Sequence, residues 1–171
     1  MDIIRNLERF PRTLKQRHPL TGCIPTSIAA VLAYYGASEL AWNECTIHEC
    51  VLSAILRDPG ESFTFRTFKR HFLDQYLDGR LYRSDITSRE ELGEWKDFLL
   101  EKVRDDIPVI ASFSHTAAHV MTVVGVASST TELQLHDPAI GDFRVLDVEP
   151  TALLQSGFRR NNDVLWIEQV H

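Results

Sequence analysis

The sequence predicts an α+β fold, papain-like in its order, with N-terminal helices packed on a mostly antiparallel sheet. Two observations predict it. Apolar residues recur at helical spacing through the first 103 residues, and after residue 107 the period changes to short β-branched runs separated by turn residues. The chain has 171 residues, 44% of them hydrophobic and 25% charged. That composition fits one ordinary domain over residues 1–171, long enough to build a core without disulfides or a structural metal.

The elements follow in order. Ile24, Ile28, Val31, Leu32 and Tyr35 form one helical stripe stopped by Gly36. A second helix is expected over 43–56, where Asp58-Pro59-Gly60 breaks it. Phe65, Phe68, Phe72 and Tyr76 make a third stripe, read as core and ended by Asp78-Gly79. Ser88 and Glu91 have the spacing of a capping box ahead of Leu92, Trp95, Leu99 and Val103, the fourth helix. Strands are expected at 107–113, 120–127, 132–136, 143–146 and 164–169, with turns at 128–130 and 137–141 and one helical turn at 150–154.

Charge and termini limit the function classes. Eighteen Lys and Arg against 24 Asp and Glu give a net charge of −6 without a basic cluster, so nucleic acid is not the expected partner. The first residues lack the order of a secretory signal, and the longest apolar run, 120–127, is too short to span a bilayer. A cytoplasmic protein without a membrane partner is expected, and a chain delivered elsewhere by a dedicated secretion machine would have the same sequence features. Three cysteines cannot all pair within the chain, which fits a reducing compartment.

The stretch Gly22-Cys23-Ile24-Pro25-Thr26-Ser27 carries the most chemistry. Pro25 suits a first helical turn, which puts Cys23 at the helix N-terminus. Unpaired amides there favour a thiolate and could hold the oxyanion of an acyl-transfer intermediate. A buried cysteine at a tight turn has the same spacing. His119 opens an apolar strand and Asp137 closes the next, so a hairpin would join them, giving the thiol, base and orienting group that nucleophilic acyl transfer needs.

The run from Gly22-Cys23 through Pro25-Thr26-Ser27-Ile28-Ala29-Ala30-Val31-Leu32-Ala33-Tyr34-Tyr35-Gly36 resembles the nucleophile helix of papain-like cysteine peptidases that remove double-glycine leader peptides in bacteriocin export, and of their stand-alone bacterial relatives. Pro108-Val109-Ile110, the run from His119 to Val126, and His136-Asp137-Pro138 with Gly141 resemble that family's second signature. The resemblance implies that Cys23 is the nucleophile, His119 the general base and Asp137 its orienting partner. It implies also that Gln16, seven residues before Cys23, completes the oxyanion hole. Where these peptidases usually carry Gly after the nucleophile, this chain has Ile24, whose branched side chain narrows the substrate space beside the sulfur.

His115 is expected in a loop near the cleft, touching substrate. Its neighbour Ser114 lacks the glycine elbow of a serine nucleophile. Cys45 and His48 have a spacing that metal ligands on a helix use, but Cys50 does not face Cys45 and no fourth ligand is obvious, so no zinc is expected and the two thiols are read as helix packing. No metal and no cofactor is expected. The function implied is hydrolysis of a peptide bond in a peptide or protein substrate through a thioester at Cys23. Deamidation or acyl transfer on the same triad, or a binding domain that retains the fold without turnover, are the alternatives.

Overall fold

A computed structural model of the chain describes residues 1–37, 41–79, 81–115 and 118–170. Helix α1, Cys23–Tyr34, is apolar on every side and almost wholly buried, as befits a helix enclosed by protein. Helix α2, Glu44–Arg57, starts at Asn43, whose side chain accepts from the Thr46 N–H while Thr46 returns a bond to the Asn43 backbone. A short helix α3, Phe65–Phe68, runs into a π-helical segment, Lys69–Leu77. The wider π turn lets the expected aromatic stripe slip: Phe65, Phe68 and Phe72 are buried, but Tyr76 is 43% exposed and lies against Trp42 at the surface.

The β half begins earlier than expected. After a two-residue strand β1, Asp2–Ile3, near the N-terminus, strand β2 covers Tyr82–Ser88 and pairs with the last strand, β7 (Arg159–Gln169), along its whole length. Ser88 therefore ends a strand. Helix α4, Leu92–Arg104, has Glu91 as its N-cap with no side-chain cap, so the expected Ser88–Glu91 capping box is not formed. The other strands lie close to their expected places: β3, Val109–Ser114; β4, Ala118–Val126; β5, Glu132–Asp137; and β6, Asp142–Asp147. The expected helical turn is α5, Pro150–Gln155.

These strands form one sheet in the order β2-β7-β3-β4-β5-β6, with β1 attached to β4 and every pair antiparallel. The fold is α+β, with helices on an antiparallel sheet as the sequence predicts. Alternate side chains serve two cores. Val109, Ala111, Phe113, Met121 and Trp166 pack on one face with Trp95, Leu99 and Val103 of α4. Ile110, Val120, Leu165 and Ile167 pack on the other with Ile28, Val31 and Leu32 of α1 and with Phe68 and Phe72. This second layer sets the N-terminus of α1 beside the start of β4, where Cys23 and His119 meet.

Candidate active site

Cys23 is the first residue of α1, and its N-cap is Gly22, which has no side chain to cap the helix. Pro25 contributes no N–H, so the amides of Cys23 and Ile24 are the donors that this helix end presents. The Gly22 position is crowded: a Cβ there would stand 2.5 Å from the His18 carbonyl oxygen, 2.7 Å from Glu44 Oε2 and 3.1 Å from Gln16 Cβ.

His119, the second residue of β4, donates from Nε2 to Asp137 Oδ1 at 2.7 Å. With Nε2 engaged, Nδ1 is the nitrogen left to face Cys23, and a hydrogen bond joins the two side chains. Asp137 ends β5 and is 2% exposed. Its Oδ1 also accepts the Ala139 N–H at 2.9 Å, and Arg144 Nη1 reaches Oδ2 at 3.2 Å. Burial pulls the His119 pKa down, but the bonds to Asp137 and Cys23 outweigh it and raise the value to about 9. Burial opposes ionisation of Asp137 as well, yet its bond and charge interaction with His119 hold the carboxyl below its ordinary range. The Phe158 ring stacks on His119 at 6.2 Å and 23°, with the Arg144 guanidinium 5.4 Å from its centre.

Gln16 enters the same site. Its backbone N–H donates to the Pro138 carbonyl at 2.8 Å, tying it to the turn that follows Asp137. Its side-chain Nε2 donates to the carbonyls of His18 and Pro19 at 3.0 and 3.2 Å, and its Oε1 is buried with no partner. Two cavities meet at Cys23. One of about 320 Å³ is lined by Gln16, His115, His119, Asp137 and Phe158. The other, about 510 Å³, is lined by Ile24, Phe63, Phe65, Val120 and Asn161. Ile24 is 8% exposed and belongs to the second core as well as to the cavity wall.

Residues 8–147 match a family model, that of the Peptidase_C39 like family. The chain belongs to this family. None of the curated proteins matches it. The matched range holds Gln16, Cys23, His119 and Asp137 and ends with β6, and membership places the chain among the cysteine peptidases in general.

Several neighbours of these residues escaped the sequence. Arg144 and Phe158 reach Asp137 and His119 only through the pairing of β5 with β6 and the return of the chain after α5, and residue type does not announce either register. Glu44 had one signal, a carboxylate in the first turn of a helix, which usually means dipole complementation. Cys45 and Cys50 are both partly buried on α2, and burial raises the Cys50 pKa. His48 is not with them. Its ring lies 4.4 Å from His18 and 4.8 Å from Phe63, both stacked, and its Nε2 bonds Thr21 Oγ1 at 2.9 Å. Among the described residues, no group of three His, Cys, Asp or Glu side chains could hold a metal ion.

Proposed function

We propose that the protein is a cysteine peptidase that hydrolyses a peptide bond through a thioester at Cys23. The observation that carries this reading is the linked set of Cys23, His119 and Asp137 at an uncapped helix N-terminus. His119 holds a proton at neutral pH and faces the sulfur, whose thiolate attacks the carbonyl carbon. The resulting oxyanion is received by the Cys23 amide and by Gln16 Nε2, which must release one of its two carbonyl partners to do so. The C–N bond then breaks as the His119 proton passes to the leaving amine. Water attacks the thioester carbon, giving its proton to neutral His119, and the C–S bond breaks to return the thiolate and release the acid.

The cavities bear on the substrate. A double-glycine segment would leave the 510 Å³ space beside Cys23 unfilled, whereas a large apolar side chain fits walls made by Ile24, Phe63, Phe65 and Val120. Two cavities that share Cys23 also suit an extended peptide better than the single small amide of a deamidase. The partner is then a peptide or protein segment rather than nucleic acid or a membrane, in keeping with the net charge of −6. No described helix is long and apolar enough to cross a membrane.

The test is intact-mass and turnover measurement with a library of peptides varied around one cleavable bond. Cys23→Ala should abolish cleavage, and iodoacetamide near pH 6.5 should modify Cys23 well before Cys45 and Cys50. Retained cleavage in Cys23→Ala, or equal labelling of the three thiols, overturns the reading.

A further inference from the structure

We infer that Glu44 is the positioning residue of the oxyanion site: its buried carboxylate gathers the segment between Gln16 and Cys23 and fixes where both residues stand. The inference rests on the function proposed above, in which Gln16 and the first amide of α1 receive the oxyanion. Glu44 is the first residue of α2, belongs to another element than any triad residue, and is only 7% exposed. Its main donors come from the two residues that follow Gln16. The Arg17 N–H lies 2.5 Å from Oε1, the His18 N–H 2.9 Å from Oε2, and the His18 ring reaches Oε2 through Nδ1 at 2.7 Å.

What His18 then does links the carboxylate to the site. Its carbonyl accepts both Gln16 Nε2 at 3.0 Å and the Gly22 N–H at 3.0 Å. One residue, His18, held by Glu44 through its N–H and its ring, thus sets the Gln16 side chain and the N-cap of the nucleophile helix together through its carbonyl. The fit has no slack, because Glu44 Oε2 and the His18 carbonyl both occupy the space where a side chain at Gly22 would go. A carboxylate suits this place because it is acceptor-only: an amide would turn N–H hydrogens toward the N–H groups of Arg17 and His18. Burial disfavours the charged form, but the backbone bonds from Arg17 and His18 overcome it and keep the Glu44 carboxyl below its ordinary range.

The experiment compares turnover of a cleavable peptide with alkylation of Cys23 by iodoacetamide in wild type, Glu44→Gln, Gln16→Ala and the double variant. Alkylation displaces iodide at a saturated carbon and forms no oxyanion, so it reports the thiol and His119 alone. Misplacing the oxyanion donors should lower kcat for Glu44→Gln by roughly 10- to 100-fold, with KM and the alkylation rate within about twofold of wild type. Because both residues act on one group, the double variant should lose less than the product of the single losses. Unchanged kcat, fully multiplicative losses, or a parallel fall of kcat, alkylation and thermal midpoint would each overturn the inference. If Glu44→Gln does not fold, Glu44→Asp, which keeps the charge but retracts it by one methylene, must show the same split between turnover and alkylation. Failure of the underlying reading is distinct: it shows as cleavage persisting in Cys23→Ala, or as Gln16→Ala cleaving at the wild-type rate.

Discussion

At the scale of single residues, Asp137 combines two readings that the sequence left side by side. Its Oδ1 accepts the Ala139 N–H, which is how an Asp starts a turn, and the same oxygen receives His119 Nε2. The side chain that makes the turn is therefore also the one that orients the imidazole. The charge matters as much as the bond. If cleavage requires protonated His119, kcat/KM should fall as pH rises through about 9. Asp137→Asn removes the carboxylate that opposes burial, so the alkaline limb should move down by a unit or more, roughly toward the ordinary histidine value near 6.5. Arg144→Met leaves that charge facing His119 with less to balance it, so its limb should stay or move up. A pH–rate profile of the three proteins checks this, and a downward shift in Arg144→Met would refute the assignment of the charge to Asp137. Cys23, His119 and Asp137 were legible because each stands at an element boundary marked in the sequence. Arg144 was not, since an arginine on an edge strand reads as surface.

At the scale of elements, local period named most helices and strands but not their edges. β2 was missed because Arg83, Ser84, Asp85 and Thr87 leave no apolar alternation, and its strand character comes from pairing with β7 rather than from its own residues. The Ser88–Glu91 spacing matched a capping box but formed none, because Ser88 was already committed to the sheet. Segment 16–22 has no period at all, and its shape comes from the Glu44 carboxylate and one shared carbonyl. Gly22 is its tightest point. Gly22→Ala would put a methyl 2.5 Å from the His18 carbonyl oxygen, a backbone atom that already accepts the Gly22 N–H and Gln16 Nε2. The substitution should destabilise the protein by about 1–3 kcal/mol, as overpacking does elsewhere, and slow turnover more than it slows Cys23 alkylation. Urea denaturation with parallel rate measurements decides it, and an unchanged midpoint would mean that the segment yields without loss.

At the scale of the whole molecule, α1 brings Cys23 and the β4–β5 hairpin brings His119 and Asp137, so the candidate site spans a layer boundary and depends on the packing that joins the layers. Three histidines, two buried and one half-buried, make that packing pH-dependent in opposite directions. His136 is fully buried between Phe10 and Phe143, with Nε2 on the Arg12 carbonyl and Nδ1 unpartnered, and burial lowers its pKa. Burial and the neighbouring His18 lower that of His48. Below about pH 6.5 the unfolded chain takes up protons at these positions that the folded chain refuses, so their contribution is present above that pH and lost as pH falls. His119 runs the other way: raised to about 9, it contributes fully below about 6.5, and that contribution drains away as pH rises through 9. Stability should therefore peak near pH 6.5, with each group adding up to about 1.4 kcal/mol per pH unit to the slope on its own side. Urea midpoints measured across pH 5 to 10 should show His136→Leu flattening only the acid side and His119→Gln only the alkaline side. His136→Leu will be less stable at every pH, because the Arg12 carbonyl loses its donor, so the slope and not the level is what decides. An acid slope unchanged by His136→Leu would place the pH sensitivity in groups other than this buried ring.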